Sequence, residues 1–158
     1  MLCAPLSRRG SPPDRQGRCR LIEFPASMDT SSRFSPAARD LYEAVVDQGL
    51  EAMIFADRDG IIRIWNARAE ALFGYPAREA LGKSLDLIIP EHLRAAHWQG
   101  YRHAIAAGRT RSEGKPLLTR ATHKDGGKLY VELTFGLVTA PGHQVLGALA
   151  TARPSEKR

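Results

Sequence analysis

A neutral imidazole can ligate a metal, accept a proton or change charge near neutral pH, and five histidines occur in this 158-residue chain. His97 is the one whose setting suits such a role. Leu93, Ala96, His97, Gly100, Tyr101 and Ala104 recur at spacings of three and four, the stripe of one inward helix face, while Arg94, Gln99 and Arg102 fall off it. Two roles are open to such a histidine: to hold a bound group, or to pack in the core with its ring nitrogens bonded to backbone or water. His92 and His103 stand five and six residues away, so the three imidazoles do not converge on one metal as an i, i+4 pair would. His123 and His143 flank turns and read as exposed.

Other chemistry is sparse. Cys3 and Cys19 both lie in the first twenty residues, so from Arg20 onward there is no disulfide, thiolate metal site or cysteine nucleophile. A Gly-x-Ser-x-Gly elbow and a phosphate-binding glycine loop are absent. Glu70, Glu79 and Asp86 read as surface charges, and Trp65 reads as core. An enzyme is not expected.

The helix that must position His97 runs from Pro90 to Gly108. Pro90 breaks the preceding run, Glu91 puts a negative charge in the first turn, and Gly108 allows a left-handed stop. Upstream, Ser35-Pro36 starts a short amphipathic helix reaching Gly49, with Ala38, Leu41, Tyr42 and Val45 on one stripe. Residues 51–56 and 61–65 are β-prone runs around Asp57-Arg58-Asp59-Gly60, a hairpin. Asn66 caps a helix stopped by Gly74, residues 76–81 form a single turn, and residues 84–89 are a short apolar lead into Pro90. Downstream come residues 115–124, a turn at Asp125-Gly126-Gly127, and residues 128–139, where Leu129, Val131, Leu133, Phe135 and Leu137 alternate with more polar neighbours. Residues 145–151 are apolar on both faces, as in a strand covered on both sides. The predicted fold is α+β, a five-stranded antiparallel sheet covered by the long helix and several short ones.

Composition agrees with one globular domain: 43% hydrophobic and 25% charged residues are ordinary values. Residues 1–34 read as a disordered basic tail, with Met28 as the expected true start. The domain is expected over residues 35–152, followed by a loose tail at 153–158. The net charge is +6, and residues 1–27 supply half of it through Arg8, Arg9, Arg15, Arg18 and Arg20 against Asp14 and Glu23. The remainder carries no basic stripe interleaved with aromatics, so nucleic acid is not an expected partner. No run reaches the roughly 18 apolar residues of a membrane span and no secretory h-region opens the chain, so a cytoplasmic location is expected.

Taken in order, four pieces carry a family resemblance: Asp59-Gly60-x-Ile62-x-x-Trp65-Asn66-x-x-Ala69-x-x-Leu72-Phe73-Gly74-Tyr75, Glu79-x-Leu81-Gly82-Lys83, Ile88-Ile89-Pro90-Glu91, and Lys124-Asp125-Gly126. Together they resemble a PAS domain of the S-box type over residues 41–152. The resemblance implies a sensory module that holds a small molecule, or nothing, between sheet and long helix and passes strain to a partner. Covalent flavin and coumarate adducts both need a cysteine in the domain and are excluded. His97, seven residues after Pro90, stands where oxygen-sensing haem PAS domains keep their proximal histidine, so haem b is the implied cofactor and His97 its iron ligand. An acceptor for the other ring nitrogen is expected at a backbone carbonyl near Leu93. Leu117, Leu133, Phe135 and Leu149, with Leu93 and Tyr101 on the helix, are the expected walls. Counted back from Asp125, Leu117 occupies the place of the arginine that bonds oxygen in those sensors. Leucine donates no hydrogen bond, and Arg120 could substitute only if the register slips, which shifts weight to CO, NO or redox sensing.

Two functions follow from the resemblance. One is a ligand-binding sensor acting on a separate histidine kinase or transcription regulator, and as a homodimer. The other is a cofactor-free dimerisation or docking module that uses the helix over residues 36–49. The small residues Ala96, Gly100 and Ala104 favour a cavity, or else let the helix approach the sheet.

Overall fold

The computed structural model describes residues 36–110 and 114–156. The basic tail 1–34, the Met28 start and the last two residues lie outside the described residues. Helix α1 (Pro36–Asp47) begins on proline, whose missing N–H costs nothing in a first turn. Strands β1 (Ala52–Asp57) and β2 (Ile62–Trp65) follow as an antiparallel pair. The turn between them is built by Asp57, whose Oδ1 accepts the N–H groups of Asp59 and Ile61 at 3.0 Å each. Burial works against that carboxylate, but the Arg63 Nε donor at 2.7 Å and the two backbone donors outweigh it and hold its pKa below the usual range. Gly60 closes the turn at φ 77°, and a Cβ there would stand 2.2 Å from the Trp98 ring. Only glycine fits this spot.

Asn66 is buried and meets all its hydrogen-bonding demands. Its Oδ1 accepts from Met53 N (2.8 Å) and Ala69 N (3.0 Å), and its Nδ2 donates to Val46 O and Glu51 O (3.0 Å each). It thereby caps α2 (Ala67–Phe73) and ties the exit of α1 to the core. A single turn α3 (Ala77–Ala80), a 3-10 turn (Leu85–Leu87) and the long helix α4 (Glu91–Ala107) come next, the last ended by Gly108 in the left-handed region at φ 64°. Strands β3 (Leu117–Thr122), β4 (Lys128–Thr139) and β5 (Val145–Pro154) complete a five-stranded sheet in the order β2-β1-β5-β4-β3, antiparallel at every pairing. The α+β architecture expected from the sequence is the one observed.

Register decides what faces the helices. Ile54 pairs with Ala150, Phe135 with Ala150, Leu133 with Ala152 and Thr119 with Val131, so these side chains share the inner face. Ile54, Ile62, Trp65, Ala69, Phe73, Leu85 and Ile88 are buried where α2, α3 and the 3-10 turn meet the sheet. Trp65 and Phe73 pack with ring centroids 5.3 Å apart, and Trp65 Nε1 donates to Tyr75 O at 2.9 Å. Strand β5 runs to Pro154, and near its end Arg153 pairs with Glu132 and Glu51 across the sheet. Helix α1 leaves Leu41 and Val45 61% and 60% exposed, so its stripe is not the covered face that amphipathicity suggests.

Candidate functional site

Helix α4 is tethered at few points. Tyr101 Oη donates to the carbonyls of Ala56 (3.0 Å) and Asp57 (2.6 Å). Trp98 Nε1 donates to Asp86 Oδ1 at 2.8 Å, and Arg94 donates to the carbonyls of Ile89 (3.1 Å) and Asp86 (3.0 Å). None of its residues is fully buried. The helix stands off the sheet and roofs a cavity of about 660 Å³, within the range that takes a drug-sized or cofactor-sized ligand.

The floor of the cavity is apolar and fine-grained. Ala148, Ala150 and Ala152 of the central strand β5 face it, flanked by Ile54 and Ala56 of β1 and by Val131, Leu133, Phe135 and Leu137 of β4. Three alanines side by side leave volume that larger residues would fill. Phe73, Leu85, Ile88 and Ile89 close one side. Leu93, Ala96, His97, Gly100, Tyr101 and Ala104 form the roof, the full inward stripe expected from sequence. A Cβ placed on Gly100 meets no atom within 4 Å, so this glycine is not what lets the helix approach the sheet. It leaves space under the helix.

His97 is half-buried, with its ring 5.0 Å from that of Trp98 and 5.8 Å from that of Tyr101. Burial lowers its pKa below the ordinary histidine value, against a smaller opposing pull from Asp86, so the imidazole is neutral at pH 7. Its Nδ1 is buried without a hydrogen-bond partner. The carbonyl expected near Leu93 does not accept from it. A ring nitrogen buried without a partner is costly to folding, and because it has no surface open to the cavity it is not the atom that would meet a bound group.

Of the residues singled out in sequence, His97, Leu93, Tyr101, Leu133 and Phe135 come together around this cavity. Leu149 and Leu117 do not. Leu149 pairs with Phe55 and Gly136 on the opposite face of the sheet, because Ala148 and Ala150 take the inward positions of β5. Leu117 shares the side of its partner Leu133, but it starts an edge strand, 39% exposed and outside the cavity lining. Gln99 and His103, expected away from the stripe, do line the cavity, since a helix lifted from the sheet shows it a wider arc. Arg109, Thr110 and Arg120 line it as well. No periodicity marks them, as two follow the helix stop and the third lies on an edge strand.

Similar proteins place this architecture. The family signature described as PAS fold matches residues 40–154. The oxygen sensor protein DosP of Escherichia coli (strain K12) is 29% identical over 106 residues, 67% of this chain and 13% of that protein. An uncharacterized protein of Azorhizobium caulinodans is 32% identical over 124 residues, 78% of this chain and 16% of its own length. The sensor protein FixL of Bradyrhizobium diazoefficiens is 31% identical over 96 residues, 58% of this chain and 18% of that protein. The chain thus spans less than a fifth of these relatives. Among solved structures, the PAS domain of a protein from Colwellia psychrerythraea superposes with a TM-score of 0.65 at 23% identity, over 76% of this chain and 98% of that one. With the matched region running from α1 to the end of β5, this chain belongs to the PAS family.

Proposed function

We propose that this PAS domain is a sensory module whose cavity binds haem b, with His97 as the proximal ligand, and that it relays the state of the bound group to a separate signalling protein. The observation that carries the reading is the neutral, half-buried imidazole of His97 on the roof of an apolar cavity. Iron prefers such a ligand, and the aliphatic side chains of β4 and β5 suit a porphyrin face. When bound, haem supplies an iron centre that takes a diatomic gas or changes oxidation state. Tyr101 would fix α4 to β1, and Leu93 and Phe135 would line the space that the group takes, while Leu117 lies outside the cavity lining. The names of the relatives, an oxygen sensor, a sensor protein and a cell-division control histidine kinase, support a kinase or regulator as the output partner.

The test is the visible spectrum of the purified full chain before and after haemin addition, with His97→Ala beside it. The expected result is a sharp Soret band in the wild type that shifts on reduction and CO addition and is lost in the variant. The spectrum of free haemin in both proteins overturns the reading.

A second reading rests on a different observation. Leu41, Val45 and Leu50 of α1 and the segment after it are 61%, 60% and 88% exposed, and apolar stripes of this kind serve association. We infer a homodimer formed through α1, whether or not a cofactor is present.

A further inference from the structure

A histidine that ligates through one ring nitrogen is ordinarily oriented by a hydrogen bond from the other. His97 lacks that support, since its Nδ1 is buried without a partner among the described residues. What holds the imidazole instead is aromatic. The Trp98 ring meets it edge-on at 5.0 Å and 80°, the Tyr101 ring lies 5.8 Å away, and Trp98 and Tyr101 meet each other at 5.6 Å. Both of these rings are anchored outside α4. Tyr101 is tied to the carbonyls of β1. Trp98 is held at two ends: its Nε1 donates to Asp86 Oδ1 at 2.8 Å, and its far edge abuts Gly60, where a Cβ would stand 2.2 Å from Cη2. Asp86 is fixed in turn. Its N–H donates to Ser84 Oγ at 3.1 Å in the 3-10 turn, and Arg94 Nε lies 3.6 Å from the same Oδ1. Adjacent residues of a helix do not ordinarily face each other, so the contact of Trp98 with His97 depends on where the indole is drawn from outside the helix.

We propose that Asp86 is a positioning residue for His97, acting through Trp98: the carboxylate fixes the indole, and the indole together with Tyr101 fixes the imidazole in the orientation that a bound group meets. Asp86 itself is no part of the cavity lining. The use made of the fixed ring rests on the reading of His97 as an iron ligand, whereas the fixing is a property of the chain with nothing bound.

The test compares the full chain with Asp86→Ala, which removes the acceptor, Asp86→Asn, which keeps an Oδ1, and Trp98→Phe, which keeps a ring and loses the donor. Two readouts are taken. The first is the ring C–H resonances of His97 by NMR with nothing added, assigned by their absence in His97→Ala; the second is haemin affinity from the Soret band. Asp86→Ala is expected to move and broaden the His97 resonances and to weaken haemin binding about tenfold, the low end of what losing a ligand-orienting partner costs. Asp86→Asn is expected to restore both. Added to Trp98→Phe, Asp86→Ala is expected to cost less than about a further twofold, because the two side chains act in series. Unmoved His97 resonances in Asp86→Ala, an asparagine variant that behaves like the alanine one, additive losses, or wild-type haemin affinity in Asp86→Ala overturns the proposal. Should Asp86→Ala fail to fold, Trp98→Phe carries the same two readouts, and wild-type behaviour there overturns it equally. A wild type that binds no haemin ends the iron reading, and the His97 resonances then decide the positioning role alone.

Discussion

Tyr101 shows how much one side chain can hold when its helix has few other anchors. Its phenol reaches from the roof of the cavity to the last carbonyls of β1, at 3.0 Å and 2.6 Å, and joins α4 to the sheet. Burial raises its pKa to about 12, and the nearby charges of Asp57 and Asp59 push the same way. The folded state therefore keeps the phenolic proton to higher pH than the unfolded chain, where it leaves near pH 10. The sign follows: this contribution is whole below pH 10 and is lost as pH rises toward 12. Tyr101→Phe is expected to cost about 1 kcal/mol at pH 7, the net worth of an ordinary hydrogen bond. In thermal melts between about pH 10 and 12, the wild-type Tm should fall more steeply than that of Tyr101→Phe. Parallel curves would remove Tyr101 as the tether.

At the scale of the element, α4 reads as a roof rather than a packed layer, and its glycine gives the sharpest check. Gly100 sits mid-helix, exposed, and a Cβ added to it would have no neighbour within 4 Å. Gly100→Ala is expected to raise stability by about 0.5–1 kcal/mol in urea denaturation, since alanine recovers the helix propensity glycine forfeits. Gly60→Ala, by contrast, must destabilise, because its Cβ would meet Trp98 at 2.2 Å on a backbone at φ 77°. Equal effects of the two substitutions would mean that α4 lies against the sheet instead of above it. The stripe of α4, the alternation of β4 over residues 128–139 and the Asp57 turn are legible in the sequence because each is written in local periodicity or turn chemistry. The lift of the helix is not, since a stripe names the inward face and says nothing of its distance from the sheet. Strand β5 is ambiguous in the same way. Apolar on both faces, it carries no parity of its own, and only the pairing of Leu149 with Phe55 shows that this leucine points away from the cavity. Arg109 and Arg120 are brought to one cavity from opposite sides of a loop, which only the fold reveals.

For the whole molecule, the proposed relay needs a path from the cavity to the surface. The route available is short. The cavity roof is tied to β1 by Tyr101, β1 begins beside Met53, and Met53 N donates to the same Asn66 whose Nδ2 holds Val46 O and Glu51 O at the end of α1. The Asn66 bonds therefore connect β1 to the end of α1. Helix α1 in turn presents Leu41 and Val45 outward, and no helix among the described residues is long and apolar enough to place that face in a membrane as a span. In the dimer inferred above, each protomer would bring the same apolar face to a two-fold axis. Leu41→Glu with Val45→Glu should then shift sedimentation from a concentration-dependent dimer to a monomer. The urea midpoint should hold within about 0.5 kcal/mol, as expected of exposed positions. Unchanged sedimentation would remove α1 as the dimer contact, and a fallen urea midpoint would mean that the stripe packs within one protomer instead.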